Sequence, residues 1–148
     1  MTFQHRFAAG AALACLGFAS LVAVADDHMY TEGQVVNVSA IRTVDGKFDE
    51  YMKYVDTTWK QEQEAAKKAG YIVSYQVLQV APRTENDADL YLVITYKDWA
   101  ALDGALAKGD AISKQVEGSV AASIQGVVDR NKIRRLIGSA TMQVLNLK

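Results

Sequence analysis

Five polar or aromatic side chains interrupt otherwise apolar stretches of this sequence: Asn37, Ser39, Tyr75, Tyr91 and Thr95. Amide, hydroxyl and phenol groups that converge on an apolar pocket can hold and orient a small organic ligand. The same groups also suit a packed subunit interface, where a tyrosine buries its ring and its hydroxyl finds a partner. Residues for harder chemistry are scarce. The 148-residue chain has one cysteine, Cys15, and two histidines, His5 and His28. A Ser-His-Asp arrangement needs a base beside the serine, and a zinc site needs three or four His, Cys or carboxylate ligands. The sequence offers neither set. Glu85-Asn86-Asp87-Ala88-Asp89 gathers three carboxylates and an amide, which are donors that calcium favours. Their spacing matches no EF-hand, and the stretch reads as a polar loop. Asn37-Val38-Ser39 fits the glycosylation acceptor pattern but lies inside a strand. The expectation is a protein with no metal and no organic cofactor.

The start of the chain narrows the chemistry further. His5 and Arg6 precede an apolar run from Ala8 through Val22, and Ala23-Val24-Ala25 follows, then Asp26-Asp27. A charged region, an apolar region and a small-x-small site are the parts of a secretory signal peptide. Residues 1–25 are therefore expected to be removed after Ala25, leaving a periplasmic or secreted protein. As a membrane anchor, the run of about 17 residues sits at the lower limit of a bilayer span, and it is rich in Ala and Gly. As a lipidation site, Cys15 follows Ala12-Leu13-Ala14, a poor lipobox. Cleavage would remove Cys15, His5 and Arg6, leaving 15 basic against 17 acidic residues. That balance gives no electrostatic case for a nucleic-acid or anionic-membrane partner, and no stable membrane insertion is expected after cleavage.

The remaining 123 residues suit one domain. Residues 26–34 are polar and read as a flexible N-terminal arm. Val35 to Arg42 is β-branched and forms the first strand. From Lys47 onward Phe48, Tyr51, Met52, Val55 and Trp59 recur at spacings of three and four, which marks one face of a helix. Asp49/Lys53, Asp56/Lys60 and Glu64/Lys68 are i, i+4 pairs on its other face, and Gly70 fits the left-handed position past its end. Residues 71–80 and 89–96 read as two strands joined by a polar loop, an antiparallel pair. Asp98 suits the N-cap of a short helix over residues 99–107, stopped at Lys108-Gly109. Asp110 then caps a longer helix carrying Ile112, Val116, Val120, Ile124, Val127 and Val128. That helix is expected to extend through the basic residues Arg130 to Arg135 and to close at Gly138. Residues 141–147 form the last strand.

The order β-α-β-β-α-β is the ferredoxin-like split arrangement, an α+β antiparallel sheet with helices on one face, here over residues 35–148. Strands one and two are apolar on both faces, while helices cover only one. A second copy of the chain is the economical cover, giving a homodimer. Gly46-Lys47-Phe48-Asp49-Glu50-Tyr51, Trp59-Lys60, Lys68-Ala69-Gly70-Tyr71-Ile72-Val73-Ser74-Tyr75 and Tyr96-Lys97-Asp98-Trp99-Ala100-Ala101-Leu102 resemble the dimeric α/β-barrel superfamily, and in particular its exported bacterial members of no assigned activity. The resemblance implies two ferredoxin-like sheets closed face to face. Relatives in that superfamily include cofactor-free monooxygenases, muconolactone-isomerase-like enzymes, ligand-binding regulators and haem proteins that use a histidine axial ligand. With no histidine after His28, haem on that pattern does not fit. Two functions stay open. One is a small-molecule binding or scaffold protein. The other is a cofactor-independent, monooxygenase-like enzyme acting on a small organic substrate, using Asn37, Tyr75 and Tyr91.

Overall fold

The computed structural model describes residues 28–148. The expected signal peptide and residues 26 and 27 lie outside the described residues. Strands β1 (Tyr30–Thr43), β2 (Ser74–Gln79), β3 (Leu90–Tyr96) and β4 (Arg134–Leu147) form one sheet in the order β2-β3-β1-β4. Every neighbouring pair is antiparallel. This is the ferredoxin-like α+β arrangement: β1 and β2 flank β3, and each helical connection steps over one strand. The sheet stays open, with β2 and β4 at its edges, so one chain closes no barrel.

The first connection is α1 (Phe48–Tyr54), a π-helical turn (Val55–Trp59) and α2 (Lys60–Lys68). Helical backbone at Tyr54, Val55, Trp59 and Lys60 makes them one continuous rod. Its apolar face supplies Tyr51, Val55 and Trp59, which pack on Ile41, Leu90 and Leu92 of the sheet. Tyr51 and Leu90 are each only 1% exposed. Side chains of this size contribute about 1.5–3 kcal/mol apiece when buried. The rod ends as Gly70 requires. Gly70 has φ +74°, its N–H donates to Lys67 O, and the N–H of Tyr71 donates to Ala66 O. Those two bonds satisfy last-turn carbonyls of the helix. Of the expected surface pairs, Asp56–Lys60 closes at 2.9 Å, whereas Glu64 accepts the Tyr75 hydroxyl at 2.6 Å.

The second connection departs from the expected boundaries. Asp98 does cap, accepting from Ala101 N at 2.9 Å, but the element it starts is a 3-10 turn, Trp99–Leu102. The break falls at Gly104, with φ +68°, and α3 (Ala105–Val116) runs through Lys108, Gly109 and Asp110. Glycine inside a helix costs about 1 kcal/mol relative to alanine, too little to stop a helix whose Ile112 is buried. The next break is Gly118, with φ +83°. Ser119 then caps α4 (Val120–Arg130) by accepting from Ala122 N.

Arg134, Arg135 and Gly138 lie in β4 and not in a helix. β4 pairs with β1 from Thr43↔Arg134 to Tyr30↔Leu147, because the long β1 offers a row of backbone partners that outweighs the helix-like charge pattern. Residues 30–34, read from sequence as arm, are strand for the same reason. Two register shifts interrupt the pairing, at Glu32/Val35 and at Ala40/Ile41. At the first, Gly33 opposes β4 so closely that a Cβ there would stand 2.8 Å from Asn146 Nδ2 and 3.0 Å from Val144 O. At the second, Ile137 is the extra residue.

Candidate functional site

Strand alternation divides the five singled-out residues between two faces. Ile41, Leu90 and Leu92 define the face under the helices. By register, Asn37, Ser39 and Tyr75 share that face, while Tyr91 and Thr95 lie on the other with Val36, Val38 and Leu78. The five therefore do not line one pocket. Tyr75 packs edge-on against Trp59 with ring centroids 5.3 Å apart. Asn37 donates to Thr141 Oγ1 at 2.9 Å in a cross-strand polar ladder with β4. Tyr91 lines a depression of about 430 Å³ on the open face together with Ala40, Pro82 and Ile137.

Two carboxylates of the acidic loop, Asp87 and Asp89, bond back to the chain. Asp87 accepts from the backbone N–H groups of Arg83 and Thr84 at 2.9 and 2.8 Å, which hold its pKa below the usual carboxylate value. Asp89 accepts from Thr43 N at 2.8 Å and from the Thr43 hydroxyl, and Arg42 Nη1 lies 3.2 Å from it. Among the described residues no group of three or more His, Cys, Asp or Glu could hold a metal ion. His28, at the edge of β1, stacks on Tyr30.

The titratable cluster of the molecule lies elsewhere, between α2, the α3–α4 junction and the π turn. Glu62 on α2 and Glu117 at the end of α3 approach as a hydrogen-bonded carboxyl pair. Burial most of all, then the hydrogen bond to Glu117 and its negative charge, raise the Glu62 pKa to about 7 against the opposing charge of Arg130. Glu117 Oε1 is buried and faces no donor. A proton on Glu62 would supply that donor, since a carboxylate only accepts. The Arg130 guanidinium lies 4.2 Å over the Tyr54 ring, a cation–π contact. Burial holds the Tyr54 phenol well above its ordinary pKa despite that charge, so it stays neutral. Gly126 leaves room for the group: a Cβ there would lie 2.9 Å from Arg130 Nη1 and 3.3 Å from Glu117 Oε2.

The π turn is what aligns this cluster. Residues eight apart on a regular helix point about 80° apart. One extra residue in a π turn brings them to within about 20°, and so sets Glu62 on the side of Tyr54. Thr57 supports the wide turn by donating its hydroxyl to Lys53 O at 2.7 Å, a bond that competes with the regular ladder.

Glu62 also forms part of the wall of a cavity of about 240 Å³ between α2, the ends of β2 and β3, the 3-10 turn and α3. Ile72, Leu102 and Ile112 give it apolar walls; Gln63, Tyr71, Tyr96 and Lys108 give it polar ones. Gln63, Ile72 and Ile112 are each 8% exposed, so this is a built hollow. A wider groove of about 540 Å³ runs over Asp56 of the π turn and Lys60 and Glu64 of α2. Lys108 Nζ donates to Ala101 O at 2.7 Å and lies 5.6 Å over the Tyr71 ring. Burial raises the Tyr96 phenol pKa, keeping it a neutral donor. Sequence reasoning missed this site. The available signals were Glu62 and Gln63, polar residues at the next step of the stripe after Trp59, and Glu117 beside the helix-breaking Gly118.

No family model matches the sequence, and no curated protein does. Solved structures that resemble the fold include the following two. HapK from Hahella chejuensis superposes with a TM-score of 0.50 at 13% identity, covering 73% of this chain and 90% of its own. A dimeric ferredoxin-like protein from an uncultured marine organism gives a TM-score of 0.49 at 14% identity, over 80% and 98% of the two chains. The likeness to HapK shows the fold alone, and with the strand order it establishes that the chain has a ferredoxin-like α+β fold.

Proposed function

We propose that this chain is an exported small-molecule-binding protein that works as a symmetric dimer. The observation that carries the binding role is the 240 Å³ cavity, with buried apolar walls and a few polar groups aimed into it. Its volume is near the lower end of ligand pockets, which suits a compact organic molecule. The dimer is supported by the open face of the sheet. Leu78 and Met142 there are 47% and 48% exposed beside Val36, Val38 and Val93, and a second copy would cover them. Export rests on the leader pattern of residues 1–25. Among the described residues, no helix is long and apolar enough to cross a membrane.

Native mass spectrometry of the protein recovered from its own periplasm tests these points together. The expected result is a dimer of chains beginning at Asp26, with a small molecule retained and lost on exchanging Ile112→Trp into the cavity wall. A monomer, an intact leader or the same retained ligand on both the parent and the Ile112→Trp protein would each remove the corresponding part.

One observation favours a second reading, a cofactor-independent enzyme. Glu62 reaches the cavity and exchanges its proton near neutral pH, the property of a general acid or base. In this reading Glu62 takes the place that Asn37, Tyr75 and Tyr91 were expected to fill. Turnover of a retained ligand that stops in Glu62→Gln would select it.

A further inference from the structure

The charges around the cavity do not cancel evenly, and the imbalance indicates what the cavity binds. Lys108 is half-buried in its wall and makes no ion pair among the described residues; its contacts are the Ala101 carbonyl and the Tyr71 ring. An ammonium group has three donors, and only one is used on Ala101. Behind Glu62 stand Glu117 from the end of α3, Arg130 from α4 and Tyr54 from the rod. With one proton shared, the two carboxyls carry a single negative charge, which Arg130 offsets. Tyr54 and Tyr96, raised by burial, are neutral donors. Lys108 is left as the uncompensated charge of a partly dry hollow, and burying a charge without a partner is costly.

Resting on the binding role proposed above, we propose that the cavity is an anion site for a small organic monocarboxylate. Its carboxylate meets Lys108 and the Tyr96 hydroxyl, and its apolar body lies against Ile72, Leu102 and Ile112. Glu62 sets the condition for binding. While it holds the proton that faces Glu117, it adds no negative charge to the wall. Once it ionises, its charge repels the ligand and compensates Lys108 instead. The site therefore loads in mildly acidic surroundings and empties in alkaline ones. A cationic amine would face Lys108 at low pH and is disfavoured there.

Isothermal titration of the purified protein with three probes of one shape, benzoate, benzyl alcohol and benzylamine, tests this. Benzoate is expected to bind best at about pH 6 and to weaken about tenfold by about pH 8.5, the scale of one added charge at close range. Lys108→Gln should abolish benzoate binding while benzyl alcohol still binds, and Lys108→Arg should restore it. Glu62→Gln should keep benzoate binding and remove its pH dependence. Benzylamine binding as well as benzoate, or an unchanged benzoate affinity in Lys108→Gln, would overturn the anion site. Binding of benzyl alcohol without benzoate would sink the anion site alone, whereas failure of all three probes would sink the cavity's binding role as well.

Discussion

The two faces of the sheet carry similar apolar side chains and have different fates. On one face Ile41, Leu90 and Leu92 meet Tyr51, Val55 and Trp59 from the same chain, and the cluster is almost wholly out of water. On the other face Val36, Val38, Val93, Leu78 and Met142 lie outside that cluster, and Leu78 and Met142 stay about half exposed. Hydrophobic strands alone do not say where a core lies. The helices decide it, and the other face is the surface proposed for association. The division should appear in experiment as large folding effects on the first face and small ones on the second.

The largest effect is expected at the centre of the covered face. Leu90→Ala should lower the unfolding free energy by about 2–5 kcal/mol, the usual range for a buried leucine that leaves a cavity. Urea denaturation monitored by tryptophan fluorescence would report it, and a loss below about 1 kcal/mol would mean that the cluster is not the core. Next comes the close approach of β1 and β4. Gly33→Ala would push a methyl against Asn146 and the Val144 backbone. The carbonyl is backbone and cannot rotate away, so a cost of about 1–3 kcal/mol is expected, read in the same assay.

What could be read from the sequence follows the same division. The helix-one stripe, the Gly70 terminus, the Asp98 cap and the β2–β3 pair were all legible, because each rests on local spacing or on backbone preferences of a few residues. The start of β4 was not. Arg130, Lys132, Arg134 and Arg135 look like the basic end of a helix, and only the distant β1 makes strand of the last two. Gly109 looked like a stop, but the helix continues through it because Ile112 is anchored. The π turn has no spacing signal, since Val55 and Trp59 fit an ordinary helix too. Consequently the site stayed hidden: Glu62 and Glu117 meet only through tertiary packing. Asn37, Ser39, Tyr75, Tyr91 and Thr95 were visible as polar interruptions, but a one-residue difference in parity sends two of them to the opposite face.

The carboxyl pair gives the third effect, and it has a definite sign. The folded-state pKa of Glu62 is raised to about 7 from 4.5, so the native protein holds this proton more tightly than the unfolded chain. Its contribution is fully present below about pH 4.5 and is lost as pH rises through about 7. After allowance for solvent screening at a partly exposed site, the loss is about 1–2 kcal/mol between those limits. Glu62→Gln should flatten this part of the stability profile. A wild-type profile already flat across that window would show that the two carboxyls do not share a proton.

The smallest folding effect is expected on the open face, where it is also the most informative. Leu78 and Met142 bury little within one subunit, so Leu78→Glu with Met142→Glu should shift the stability of the dissociated subunit by no more than about 0.5 kcal/mol each. The consequence for association should be the reverse. Two carboxylates on each copy would have to be desolvated and set against their counterparts across a symmetric interface. Sedimentation velocity should therefore show the parent protein as a dimer and the double variant as a folded monomer. If both sediment alike, the open face is not the interface, and its apolar side chains face solvent or another partner. If the variant fails to fold even when dilute, the face belongs to the subunit's own core, and the contrast between the two faces disappears.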